Sequence, residues 1–350
     1  MTSLFCRATL LCLAATLFSC HWRTPHPPAD CRSFYYWKSV YSLNAKERDY
    51  LNALNVKHLY IRFFDVTWDA QAARPVPTAP IRFKDSSYLR YTITPVVFIT
   101  NEVLARLDSA GIVTLATNLG IGVGELCRSS RLPAALVLQL DCDWSATTRD
   151  RYFSLLTHLR HWLDAHGQHS CQLSATIRLY QCKYWEKTGV PPVAKGLLMC
   201  YNMGDRKNPR AKNSILETVE LEKYTAHLSS YPLPLDIALP IFDWKVLFHG
   251  AQYAGLVDSL PAAALTGPAV GHSGDRYIFR RDTTIDGYPF QAGDQLRDER
   301  SDYETLIATA RIVARKLKGP PGAVILFHLD SSNLINYTPH ELQDLFDRCY

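Results

Sequence analysis

The stretch Ala134-Ala-Leu-Val-Leu-Gln-Leu-Asp-Cys-Asp-Trp144 decides how the rest of the chain is read. An apolar run of strand length passes, at its C-terminal end, into two carboxylates one residue apart and then an indole. Side chains along a strand alternate in direction, so Gln139, Asp141 and Asp143 share one face while Leu138, Leu140 and Cys142 share the other. So apolar a run describes a strand covered on both sides, as in parallel α/β sheets. Asp141 and Asp143 then lie where the strand runs out into its loop, the usual place of a ligand site in such folds.

The same unit of strand, polar strand end and helix repeats on either side. Ser33–Trp37, His58–Phe64 and Thr92–Ile99 precede it as strands, and Gln172–Arg178, Gly196–Tyr201, Leu235–Leu239 and Ala323–His328 follow. Asn44 with Glu47 three residues on opens a helix whose apolar face continues through Leu51 and Leu54. Further helices are expected over Asn101–Leu107, Val113–Cys127, from Thr147 to Gly167, and over Leu216–Leu228, Tyr303–Leu317 and Pro339–Asp347. Eight strands separated mostly by helices are what a (β/α)8 TIM-type barrel requires. An open doubly wound sheet is the alternative, but no Gly-rich phosphate loop follows the first strand. Residues 33–350 therefore read as one barrel domain. Within it, Gly250–Glu299 (rich in Gly, Pro and Asp) forms an elaborated loop after strand seven, with a hairpin around Tyr277–Phe279 and Thr283–Ile285.

Composition sets the outer bounds. Of 350 residues, 47% are hydrophobic and 20% charged, which is ample for a core. The net charge of +5 is small. Basic clusters occur at Asp205–Lys212 and Arg311–Lys318, read as a loop and an exposed helix face, so nucleic acid is not an expected partner. Met1–Arg7 is short and weakly basic, and Ala8–Phe18 is an apolar run too short to span a bilayer. It ends in Leu17-Phe18-Ser19-Cys20, which resembles the lipobox of bacterial lipoproteins, Phe18 being a departure from the commonest pattern. That resemblance implies a signal peptide over 1–20, a lipid on the Cys20 thiol, a proline-rich tether over 21–32 and a place in the cell envelope. An ordinary cleaved secretory signal is the alternative, and either way the chain is expected to be exported. Of the 10 cysteines, seven lie beyond Cys20. They are an odd number scattered on strands and helices, with Cys31–Cys349 the one disulfide considered and Cys142 and Cys200 read as small buried apolar groups. No Cys-x-x-Cys or His/Cys spacing suggests a metal site, and no cofactor is expected.

In a barrel the C-terminal strand ends converge on one mouth. Taken in order they offer Tyr36 and Trp37; Arg62 and Asp65; Asp141, Asp143 and Trp144; Arg178 and Gln181; Tyr201 and Asn202; Phe242 and Trp244; and His328 and Asp330. Carboxylates, arginines, an amide and aromatic rings are the chemistry of a sugar site: rings stack on pyranose faces while charged groups and amides bind hydroxyls. Each element also has a purely structural reading. Asp141 beside Arg178 would be a buried ion pair, the tryptophans barrel-top packing, His328 a hydrogen-bonded core histidine, and Arg62 a counterion for Asp65.

Leu-Gln-Leu-Asp141-Cys-Asp143-Trp144 resembles the fourth-strand signature of the chitinase-like glycoside hydrolases, in which spaced aspartates precede Trp and then an acid Glu. Met199-Cys-Tyr201-Asn202 resembles that family's sixth-strand motif. The resemblance implies a barrel whose last aspartate orients the substrate's acetamido group, whose tyrosine helps to hold that group, and whose glutamate protonates the leaving oxygen. This chain departs at the decisive place: Ser145 stands where the acid would be, and Leu138 replaces the first aspartate. Thr176–Gln181, Thr188–Pro192, Leu198–Met203 and Ala238–Phe242 further resemble an uncharacterised bacterial family of exported, barrel-like lipoproteins, a likeness covering about Tyr35 to Leu329 that implies the barrel more firmly than an activity.

Candidate acids in place of the missing glutamate are Asp143, with Asp141 sharing its charge, and Glu299, which as a loop residue could swing over the mouth or simply sit at a helix start. Glu186 is a weaker candidate. Three readings follow: a glycoside-hydrolase-like enzyme using Asp143 and Glu299; a non-catalytic glycan-binding protein in which Asp141, Asp143, Tyr201 and the tryptophans hold sugar; and a structural envelope lipoprotein with no small ligand.

Overall fold

A computed structural model describes residues 31–257 and 260–350, so the expected signal segment, Cys20 and most of the expected tether lie outside the described residues. Eight parallel strands form the barrel: β1 Arg32–Tyr36, β2 His58–Asp69, β3 Thr92–Ile99, β4 Val137–Asp141, β5 Gln172–Arg178, β6 Lys195–Met199, β7 Leu235–Pro240 and β8 Val324–Phe327. Each pairs with the next, and β1 pairs with both β2 and β8, which closes the ring: Phe34 sits level with Leu59 on one side and Leu326 on the other. The expected (β/α)8 barrel is the observed fold.

The helices lie between the strands. Asn44 and Glu47 form the capping box of Ala45–Ala53, each binding the other's backbone N–H at 3.0 Å. The helix expected from Val113 starts earlier, at Ser109, because the Asp108 carboxylate accepts from the Gly111 N–H at 2.8 Å. This Ser109–Ser129 helix packs on Arg149–Ala165, with Gly120 against Trp162. A β-carbon there would lie 2.1 Å from the Trp162 ring, so glycine is required by the packing itself. Beyond the barrel wall β2 continues and pairs antiparallel with Arg74–Thr78, where Pro75 and Pro77 occupy an edge strand, the position in which a missing N–H is tolerated.

The segment after β7 differs from the expected elaborated loop. It is a five-stranded antiparallel sheet in the order Gln252–Val257, Asp243–His249, Asp294–Arg300, Arg276–Phe279, Val270–Ser273, and it begins at Asp243 rather than Gly250. It has its own apolar cluster, including Leu265, Phe279, Phe290 and Leu296. The hairpin expected between Tyr277–Phe279 and Thr283–Ile285 does not form. Arg276–Phe279 pairs instead with Val270–Ser273, and Thr283–Ile285 with Tyr288–Phe290. The physical reason is turn chemistry. Asp286 and Gly287 both have positive φ, 48° and 82°, as a two-residue type I′ hairpin turn demands, and Gly274 at 61° turns the other hairpin. The helix expected over Leu216–Leu228 is shorter, Thr218–Thr225, with a separate 3₁₀ turn at Leu228–Ser230. All seven described cysteines are free thiols, Cys349 and five others buried, so the Cys31–Cys349 pair is not made.

Candidate functional site

The β4–β5 register builds the centre of the site. Gln139 lies level with Ser174 and Leu140 with Ala175. Continued upward, the same offset sets Asp141 beside Thr176 and Asp143 beside Arg178. Thr176 Oγ1 donates to Asp141 at 2.7 Å, and the Arg178 guanidinium makes a two-pronged contact with the Asp143 carboxylate. The ion pair anticipated between Asp141 and Arg178 is thus made by Asp143, because residues opposite each other in a parallel pair share a face and Asp143 is two residues further along. Gln139, on the same face and 0% exposed, accepts from the Tyr35 hydroxyl inside the barrel.

The two aspartates differ in environment. Asp141 is desolvated, and burial, opposed by Thr176 and reinforced by the negative charge of Asp143, pushes its carboxyl up to about 6. Arg178 and Asp65 also act on it, so charges from β2, β4 and β5 meet at one point. Asp143 and Arg178 remain accessible, their side chains 43% and 35% exposed. Arg62 and Asp65 pair at 3.0 Å, and burial pushes the Asp65 carboxyl up despite Arg62. Tyr201, just beyond β6, feels Asp141, Arg178 and Asp143; burial, with these carboxylates, raises its hydroxyl well above the usual range.

The other side of the mouth is aromatic. Tyr201 stacks on Phe327 at 5.4 Å between ring centres, Phe327 meets Trp37 at 5.3 Å and Phe242 at 5.8 Å, and Phe242 meets Trp244 at 5.3 Å. Arg62 joins the two sides, its guanidinium lying over the Trp37 ring at 5.7 Å. Asn202 is exposed beside Tyr201, with φ of 52°.

Other expected site residues fall elsewhere. Tyr36 is neighbour to Trp37 on the strand and so points the opposite way; its hydroxyl donates to the Val40 carbonyl at 2.8 Å and accepts from the Ser42 N–H at 3.0 Å. Tyr35 takes the inward position, which strict alternation from Trp37 would have found. Trp144 stacks on Tyr152 at 5.1 Å and donates to the Thr188 carbonyl at 3.2 Å, which is barrel-top packing. Gln181 bridges the β4 and β5 ends, accepting from the Arg178 N–H and donating to the Trp144 carbonyl at 2.8 and 2.9 Å. Asp330 belongs to a separate cluster: Lys38 bridges it to Glu47, 2.8 Å from each. Burial there raises the Asp330 carboxyl, but the bonds from Lys38 and Ser332 outweigh it and leave the group at about 2. His328 is held neutral, burial lowering it to about 4.

Glu299 departs furthest from expectation. It lies in the Asp294–Arg300 strand, 1% exposed, and accepts from Arg297 Nε at 2.6 Å, Trp244 Nε1 at 2.6 Å and Ser214 Oγ at 2.5 Å. A carboxylate with three donors in a sheet cannot swing over the mouth; it holds Trp244 in place. Glu186 sits in the short helix Trp185–Thr188. Ser145, exposed, caps the following turn by donating its N–H to Thr148 Oγ1 at 2.9 Å. Among the described residues no group of three or more His, Cys, Asp or Glu side chains is placed to hold a metal ion.

No protein-family model matches this chain, and the curated proteins contain no match. Solved structures do match in fold. The spore cortex-lytic enzyme SleL of Bacillus cereus aligns with TM-score 0.54 at 13% identity over 91% of this chain and 74% of its own. SleL of Bacillus megaterium QM B1551 gives 0.54 at 11% over 91% and 73%. A chitinase from Chromobacterium violaceum gives 0.52 at 9% over 90% and 97%. The chain thus shares a barrel fold with these proteins, and at these identities the similarity is one of fold alone.

Proposed function

We propose that this barrel is a carbohydrate-binding protein of glycoside-hydrolase-like architecture, with the sugar seated at the C-terminal ends of the strands. The observation that supports it is the pairing of two unlike walls at one mouth. Half-exposed Asp143–Arg178 and partly buried Arg62–Asp65 supply fixed hydroxyl and amide partners, while the partly exposed Trp37 and Phe327 supply ring faces for the apolar side of a pyranose, backed by the buried rings of Tyr201 and Phe242. Unrelated structural needs would not gather these groups from β1, β2, β4, β5, β6, β7 and β8. Binding is favoured over hydrolysis by the chitinase-type route because Ser145 cannot act as a general acid and Arg178 already occupies the Asp143 carboxylate.

One observation favours a second reading, hydrolysis. Asp141, at about 6, would hold a proton for a leaving oxygen below that pH, with Asp143 as the second carboxylate. A glycan array paired with a reducing-sugar assay separates the two. Asp143→Asn removes half of the charged pair and is expected to weaken glycan binding roughly tenfold or more, the worth of a charge-assisted hydrogen bond. Wild-type binding without new reducing ends leaves the binding reading standing. Turnover that disappears in Asp141→Asn replaces it with the enzyme, and no glycan binding by the wild type removes both.

We further propose export with Cys20 as the lipid-bearing residue and 21–32 as a tether, supported by the sequence ahead of the barrel. Replacing Cys20 by serine is expected to move the protein from the membrane to the soluble fraction of a bacterial host; unchanged partition would sink the anchor.

A further inference from the structure

The backbone leaving β5 turns at once into a short helix, Leu179–Lys183, and a second, Trp185–Thr188, follows it. Much of this segment is committed inward. Leu179, Gln181, Cys182 and Thr188 are buried, and the Thr188 hydroxyl donates to the Gln181 carbonyl at 2.8 Å, tying the second helix to the first. The Lys187 and Thr188 N–H groups both bind the Tyr184 carbonyl, at 2.8 and 2.9 Å. Gln181 fastens the segment to two strand ends of the mouth, through the Arg178 N–H and the Trp144 carbonyl. The backbone here is therefore fixed, and it begins beside the guanidinium that holds Asp143.

What this support carries outward is aromatic. Tyr180 and Tyr184 stand four residues apart, a spacing that puts both on one side of a helical turn. Their ring centres are 5.0 Å apart, and they are 56% and 37% exposed. Among the described residues the other exposed aromatic side chain is Tyr350, which lies at the opposite end of the barrel with its hydroxyl on the Cys31 carbonyl at 3.3 Å. Lys183 steadies the outer ring, its ammonium 5.1 Å from the Tyr184 ring centre and 5.3 Å from that of Tyr224.

These features select one kind of occupant. The pair offers ring faces and hydroxyls, which suit the apolar side and the rim of a neutral pyranose. It does not suit an anion, because the cation within it is already seated over two rings. Two side chains also fall far short of a stable protein interface, which covers about 800 Å² on each partner. The continuity of the segment with Arg178 places the pair on the way out of the mouth.

We infer that Tyr180 and Tyr184 form an outer stacking platform for further pyranose units of a glycan that starts in the mouth, so that the ligand is a neutral oligosaccharide chain leaving past β5. The inference rests on the reading of the mouth as a sugar site. The test measures, by calorimetry on the full chain, the affinity for chito- and cello-oligosaccharides from the disaccharide to the hexasaccharide. Wild type is expected to bind the hexasaccharide of at least one series about tenfold or more tighter than its disaccharide, as two added ring contacts allow. Tyr180→Ala combined with Tyr184→Ala is expected to abolish that gain and leave the disaccharide affinity unchanged. Tyr180→Phe combined with Tyr184→Phe keeps both rings and is expected to keep the gain. These side chains are exposed, and an unchanged melting temperature checks the fold. Asp143→Asn is expected to weaken every length alike, which tests the mouth by itself. Wild-type affinity that does not grow with length, or a hexasaccharide held equally by wild type and the alanine pair, overturns the platform and leaves the mouth reading standing. Weaker disaccharide binding by the alanine pair also overturns it, since the rings would then belong to the mouth. The mouth reading fails, and the platform with it, if Asp143→Asn binds every length as wild type does or if wild type binds neither series.

Discussion

Glu299→Ala is expected to destabilise the fold by about 3–5 kcal/mol, the usual cost of leaving one partner of a buried ion pair alone. Arg297 and Glu299 both have side chains at 0% exposure, and the guanidinium would keep its charge with no counterion. The indole N–H of Trp244 and the hydroxyl of Ser214 would lose their acceptor in the same step. Glu299→Gln can still accept from Trp244 and Ser214 and should fall between wild type and alanine. Urea or guanidinium denaturation of the three proteins measures this directly. A midpoint for Glu299→Ala equal to that of wild type would show that the network carries no weight. The same variants address catalysis: a glutamate that acted as proton donor would lose turnover on conversion to glutamine at almost no cost in stability, and the observed bonding predicts the opposite order of effects.

The second large effect is a pH dependence centred on Asp141. Its carboxyl is at about 6 when folded against an ordinary value of 3.8, so the folded state holds this proton more tightly than the unfolded chain does. Stability from this group is therefore fully present below pH 3.8 and is lost as pH rises through about 6. Above that point the ionised carboxylate costs the fold on the order of 3 kcal/mol. Asp141→Asn, which can still accept from Thr176, removes the cost. The variant is expected to match wild type near pH 4 and to exceed it by up to that amount at pH 7–8. His328 and Asp330 act in the other direction, each losing a stabilising contribution as pH falls, toward about 4 and about 2 respectively. Both are present in each protein, so the difference between the two stability curves isolates Asp141. Parallel curves across pH 4–8 would mean that Asp141 is solvated after all.

The eight strands were legible because apolar runs bounded by polar ends record burial on both faces, and burial of a strand is written residue by residue. Capping was equally local: Asn44 and Glu47 announced their helix. The inserted sheet is less legible, for a different reason. Its short strands alternate poorly, and the signal that ordered them lay in the turns, where Asp286-Gly287 and Gly274 set the pairings that the strands themselves left open. Among the candidate site residues, those on alternating positions of one strand held together. Residues that merely lie near a strand end divide: Tyr36 points away from Trp37, and Trp144 turns down onto its own helix.

Local sequence thus determined which residues form strands and which face of each strand is polar, since the period of two is a property of the backbone alone. It determined that Asp141 and Asp143 lie on the same side. Only the tertiary structure decided who meets whom. The offset of 35 residues that joins Asp141 to Thr176 and Asp143 to Arg178 follows from closing a ring of eight strands, in which each register is fixed by all the others. Folding likewise carried Glu299 into a sheet beside Arg297 and Ser214, 85 residues from the latter in the chain. Partners so far apart in sequence leave no trace in the local pattern, because their contact depends on the geometry of the closed barrel and its inserted sheet.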